Sequence, residues 1–294
     1  HWHKDDLLPW NARKPGLRHH HLETIDLFYY PQEVPEAMAP TALVPHSQYW
    51  TFDHDENNDN ICLEMLDYNF VREKMGANPD LAERDRRFDS AVAGTQWPLV
   101  RQVKLCVPAG SVVLMNPNCF HRGQRRSDDP SLWVENPRYM WRFWMYRTTE
   151  PPQAPASDPS PSEHENACMR LLPAVDPLTG IPLHSPEATA VWEPIFAWAT
   201  GTAPPSVATH QPTEEFEKML YLCGDENEPK RVAAAYHLAT TAQGVKVLRQ
   251  AFVDDRESVR RAATHGIVAA GADAACEVAL DVALSPSTHK WARK

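Results

Sequence analysis

The sequence predicts a mixed chain: a β-rich first half, a proline-rich connection and an α-helical final third. Three observations carry this. Short apolar runs with strand-like alternation, bounded by proline or glycine, recur through residues 1–150. The stretch Glu150–His164 reads EPPQAPASDPSPSEH, a linker composition, and 151–190 is taken as the connection. From Thr213 the pattern turns alanine-rich and helical, and it repeats.

The composition is globular. Of 294 residues, 43% are hydrophobic and 23% charged, which is enough chain for about two domains with real cores. With 29 basic against 39 acidic residues the net charge is −10, which argues against a nucleic-acid surface. No apolar run is long enough for a membrane span, so no membrane partner is expected. Cys62, Cys106, Cys119, Cys168, Cys223 and Cys276 are scattered without a CxxC pair. They read as reduced thiols in a cytoplasmic chain, not a disulfide framework or zinc knuckle. No signal peptide is expected, and a start at His1 with an end in WARK suggests a chain truncated at both ends.

Taken in order, the opening HWHKDD is extended and carries His3-x-Asp5. Thr24–Tyr30 (TIDLFYY) alternates up to Pro31 and reads as a strand, as does Thr41–Val44 before Pro45. Thr51–Leu99 is polar, with helical stretches such as Ile61–Lys74, and reads as an insertion over a β-core. Val107–Gly110 is a turn signal that launches Ser111–Met115 (SVVLM), an apolar run read as a buried strand. Arg138–Arg147 (RYMWRFWMYR) is an aromatic strand, its Trp141 and Trp144 expected to pack the core. The helical third carries DENEPKRVAA (Asp225–Ala234), which returns as DDRESVRRAA (Asp254–Ala263) at a period of 29, placing Arg231 over Arg260. An acidic turn followed by a helix with paired alanines resembles HEAT-like repeats, an architecture that presents a face to protein partners.

An HxD pair on an extended segment puts both side chains on one face, because strand residues alternate with period two. His3 and Asp5 are therefore two candidate ligands for one metal, and His121 in NPNCFHRG, just after the SVVLM strand, is the candidate third. Two histidines and one carboxylate make the facial triad of non-haem Fe(II) oxygenases. His54-x-Glu56 is a rival pair in an acidic loop. Arg138, 17 residues after His121, is placed to grip a carboxylate bidentately. His19–His21 read as flanking the next strand, Ser47 and Gln48 as loop hydrogen-bonders, and Arg122–Arg126 as an exposed, self-neutralising loop.

On HWHKDD, RHHHLETIDLFYYPQEV, PTALVPHSQYW, PAGSVVLMNPNCFHRG and PRYMWRFWMYRTTEP, residues 1–150 resemble the phytanoyl-CoA dioxygenase family of Fe(II)- and 2-oxoglutarate-dependent oxygenases. The resemblance implies a double-stranded β-helix of the jelly-roll or cupin type, with iron held by His3, Asp5 and His121 and 2-oxoglutarate by Arg138. It further implies hydroxylation of a small-molecule or lipid-like substrate with release of succinate and CO2. In halogenating relatives a small residue replaces the carboxylate, so Asp5 implies hydroxylation. The sequence departs from the family's pattern at His46, where glycine is usual. The insertion Ser131–Asn136 leaves Arg142 and Arg147 as rivals to Arg138. Two non-catalytic alternatives stay open: a β-helix binding module that no longer turns over, and an interaction scaffold working through the helical repeats.

Overall fold

The computed structural model describes residues 3–5, 24–45, 47–49, 63–65, 102–117, 119–123, 137–149, 151–152, 185–201 and 213–284, with 3–5 and 63–65 described as backbone. Eight strands stand in it: β1 His3–Asp5, β2 Thr24–Tyr30, β3 Ala42–Leu43, β4 Leu63–Met65, β5 Val103–Lys104, β6 Ser111–Met115, β7 His121–Arg122 and β8 Trp141–Tyr146. They form two sheets, five-stranded in the order β4-β1-β7-β3-β5 and three-stranded in the order β6-β2-β8. Every strand pairing among the described residues is antiparallel.

β2 is the centre of the smaller sheet, and its alternation decides the faces. Asp26, Phe28 and Tyr30 are buried, and their register partners Trp144, Arg142 and Val113 share that face, since opposed residues in an antiparallel pair lie on one side. Phe28, Tyr30 and Met115 pack there with Val34 and Met38, and Leu43 of β3 joins them from the other sheet. The turn feeding β6 works because Gly110 takes φ +80, which a side chain would oppose, and its N–H donates to Tyr30 O at 2.8 Å.

The opposite face of this sheet carries the more exposed side chains among the described residues. Val112, Leu114, Trp141 and Phe143 are all more than half exposed, and Trp144 on the inner side is 50% exposed beside Arg142. Trp141 and Trp144 therefore do not pack the core as expected. Trp141 falls at the outward parity of β8, and the helices pack against the other sheet.

A second correction concerns Ile61–Lys74, expected to be helical. Its described part, Leu63–Met65, is a strand whose ladder partner is β1. Three residues carry too little periodicity to oppose an available strand edge. The rest of that stretch, His54-x-Glu56, His19–His21, Ser131–Asn136 and the tail Lys290–Lys294 lie outside the described residues, as does most of the proline-rich connection.

Six helices follow among the described residues: α1 Pro186–Thr200, α2 Thr213–Leu220, α3 Glu228–Leu238, α4 Ala242–Ala251, α5 Glu257–Ala269 and α6 Ala272–Leu284. α1 begins inside the stretch assigned to the connection, because Ser185 caps it by accepting from Ala188 N–H at 3.0 Å and Pro186 suits the first helical position. Its end is marked by Gly201 at φ +69. None of these helices is long and apolar enough to cross a membrane.

α3 and α5 begin 29 residues apart and pack on each other with small residues between them, among them Ala235, Ala262, Ala263 and Gly266. Each opens on a turn held by an arginine. Buried Arg231 donates to Leu222 O at 2.9 Å and Gly224 O at 3.1 Å. Arg260 donates to Asp254 O at 2.7 Å and Asp255 O at 2.8 Å. The repeated arginine thus supplies donors to carbonyls of the loop before each helix. The helical core is continuous with the larger sheet through Ala42, Val44 and Phe120.

Candidate functional site

β3 has a different neighbour on each side. Ala42 packs with the helical core, while Leu43 packs into the cluster shared with the three-stranded sheet. In the ladder between β3 and β7, Leu43 is opposed to His121 and Ala42 to Arg122. His121 therefore sits on the face turned toward the smaller sheet, and Arg122 on the face turned toward the helices. That explains why Arg122 is 4% exposed and donates to Gln102 Oε1 at 3.0 Å, where an exposed loop cation was expected. Arg126 lies outside the described residues.

On its other edge β7 pairs with β1, and there His3 is the register partner of His121. His3 and His121 thus lie on one face, and Asp5, two residues along β1, falls on that face as well. Cβ atoms of directly opposed residues stand about 4.5–5.5 Å apart. The three residues that the sequence singled out as ligands are therefore gathered on neighbouring strands, on the side of the larger sheet that looks into the space between the sheets. Among the described side chains no group of three or more metal-ligating residues stands together. His121 alone of the three has its side chain described; His3 and Asp5 are located by strand register.

The His121 side chain suits a ligand. It is 6% exposed, and its Nδ1 lies 2.9 Å from Cys119 O. A carbonyl only accepts, so Nδ1 is the donor in this contact, and in the neutral ring that leaves the lone pair on Nε2. Metal-bound histidines generally show this arrangement, one ring nitrogen donating to a carbonyl or carboxylate and the other coordinating. Two imidazoles and a carboxylate on one face fit a divalent iron site by donor type.

The arginines across from this face differ from one another. Arg142, opposed to Phe28, is paired with the fully buried Asp26 at 2.5 Å and flanked by the rings of Phe28 and Trp144 at 5.6 and 4.9 Å. Arg138 precedes β8, donates to Ala39 O, and is half-buried. Its charge reaches Tyr30, whose phenol burial pushes above its ordinary value while Thr41 and Arg138 pull the other way. Arg147 stands over the Trp198 ring of α1 at 5.1 Å, tying the end of β8 to the helices.

Sequence reasoning missed Asp26. Its signal was present: an acidic residue at a core-facing position of TIDLFYY needs a cation, and only the pairing of β2 with β8 shows which one. Ser47 and Gln48 do make loop hydrogen bonds, but toward the segment that carries His121: Ser47 Oγ accepts from Phe120 N–H at 2.6 Å, and Cys119 Sγ donates to Gln48 Oε1 at 3.2 Å. Comparison of the chain with known protein families, curated proteins and solved structures finds no match.

Proposed function

We propose that this chain is an Fe(II)- and 2-oxoglutarate-dependent oxygenase that hydroxylates a small-molecule or lipid-like substrate, on a β-domain of the double-stranded β-helix type followed by HEAT-like helices. The observation that carries the reading is the ladder register that sets His3 opposite His121, with Asp5 on the same face. HxD and a distant histidine are separate motifs in the sequence, and nothing in their spacing obliges them to meet. Here they fall on adjacent strands in matching register.

The chain's own residues divide the work. His3, Asp5 and His121 would hold the iron, His121 through Nε2 because Nδ1–H is committed to Cys119 O. Arg138 would hold the far carboxylate of 2-oxoglutarate, a role supported against Arg142 by the Asp26 carboxylate already paired with the latter. Bound iron with 2-oxoglutarate and O2 supplies oxidising power for hydroxylation, with succinate and CO2 as by-products. Asp5 in the carboxylate position favours hydroxylation over halogenation. Cys106, Cys119, Cys223 and Cys276 are all free thiols, which supports a reducing cytoplasmic setting.

The test is an anaerobic titration of the purified chain with Fe(II) and 2-oxoglutarate, reading the visible charge-transfer band that forms when the keto acid chelates iron. The wild type should develop the band and His121→Ala should not. A wild type that binds neither iron nor 2-oxoglutarate, or a His121→Ala variant that matches it, overturns the assignment and moves the balance to a non-catalytic module.

A further inference from the structure

We infer that Ser47 and Gln48 are positioning residues for the metal ligand His121, holding the tripeptide Cys119–Phe120–His121 in the one arrangement that aims Nε2 at the iron. The inference rests on the oxygenase reading and extends it to residues that touch neither metal nor co-substrate.

Ser47 is fully buried, and its hydroxyl is used twice: Oγ donates to Val44 O at 2.6 Å and accepts from Phe120 N–H at 2.6 Å. Phe120 O in turn accepts from Val44 N–H at 2.8 Å. Both backbone groups of the residue immediately before His121 are thereby pinned to the segment Val44–Ser47. One residue earlier, Cys119 is held three ways. Its N–H donates to Asn116 O at 3.0 Å, its thiol donates to Gln48 Oε1, and its carbonyl accepts from His121 Nδ1–H. That last contact decides both the tautomer and the ring orientation of the imidazole. The chain of contacts therefore runs from the Ser47–Tyr49 3-10 turn, through Phe120 and Cys119, to the proton on Nδ1.

The arrangement is more than strand pairing. The ladder partners His3 and Leu43 fix where the His121 backbone lies, but a β-strand leaves χ1 and χ2 open. The ring is set by the Cys119 carbonyl, and the carbonyl by Ser47 and Gln48. Groups that orient a coordinating histidine in this way typically alter metal affinity 10- to 100-fold when removed.

The experiment compares wild type, Ser47→Ala, Ser47→Thr and Gln48→Leu as full chains, measuring the Fe(II) dissociation constant under anaerobic conditions and, separately, thermal unfolding without metal. Ser47→Ala should weaken Fe(II) binding by about 10-fold or more, Ser47→Thr should restore it to near the wild-type value, and Gln48→Leu should weaken it several-fold. A purely architectural role would lower the unfolding temperature of Ser47→Ala while the folded protein kept wild-type iron affinity, and that result overturns the inference while leaving the oxygenase reading intact. If Ser47→Ala does not fold, Gln48→Leu decides, and unchanged iron affinity there refutes the positioning role. A wild type that binds no iron refutes the oxygenase reading itself, and the inference falls with it.

Discussion

Gly266 of α5 offers a test in which two well-measured effects oppose each other. Alanine is favoured over glycine in a helix interior by about 0.8–1 kcal/mol, so propensity alone makes Gly266→Ala stabilising. Packing says the reverse. A methyl group at this position would stand 2.6 Å from Ala235 O in α3 and 2.9 Å from both δ carbons of Leu248 in α4. Leu248 has rotamers to try, but the carbonyl of the fully buried Ala235 belongs to helix backbone and cannot turn away. α3 and α5 would have to separate by several tenths of an ångström along a seam that includes Ala262 and Ala263. Such overpacking costs about 1–3 kcal/mol. Set against the propensity gain, Gly266→Ala should lose about 1 kcal/mol and at most about 2 kcal/mol. Urea unfolding followed by far-ultraviolet circular dichroism reads this directly: the midpoint should fall with the slope unchanged. A midpoint above that of the wild type would mean that α3 and α5 do not approach this closely, and the packing described between them would be wrong.

Two further outcomes test the helical segment. Arg231→Met should cost about 2–3 kcal/mol, because it removes a buried guanidinium that donates to Leu222 O and Gly224 O, whereas Arg260→Met, at a half-buried position, should cost about 1 kcal/mol; equal losses in urea unfolding would deny the difference in burial. His237, stacked on Phe216 at 4.4 Å, has its imidazole pushed below the usual 6.5 by burial, so the unfolded chain binds the proton more readily. Its contribution to stability is complete above about pH 6.5 and lost as pH falls through the lower folded-state value. His237→Gln should flatten that acid limb in a stability–pH profile, and an unaltered limb would assign it to other groups.

The fold was legible where period two had a side to point at. Thr24–Tyr30 is a strand over the residues its alternation predicted, and Ser111–Met115 over those its apolar run predicted, although Val112 and Leu114 of that run are exposed where a buried strand was expected. The small residues of the period-29 pattern have a physical cause in the close approach of α3 and α5, which begin 29 residues apart. Leu63–Met65 was not legible: a three-residue strand exists because β1 offers it an edge, and that information lies sixty residues away in the chain.

The site divides along the same line. Metal-ligating chemistry demands particular residue types, so the proposed ligands His3, Asp5 and His121 can be picked out locally, while the groups proposed to orient His121 cannot. Serine and glutamine are ordinary loop residues until a ladder brings Phe120 and Cys119 against them. Asp26 is the intermediate case, since its position in an apolar strand required a cation but only the register with β8 names Arg142. β8 shows why alternation alone falls short. With Trp141 and Phe143 on one face and Arg142 and Trp144 on the other, neither face is the more apolar by a margin that pattern reading can use. Both faces of β8 stay substantially exposed, and the face with Arg142 is set apart by that arginine's pairing with the buried Asp26. What distinguishes the two faces there is the partner that β2 brings to Arg142, a fact of strand register that a single strand does not contain.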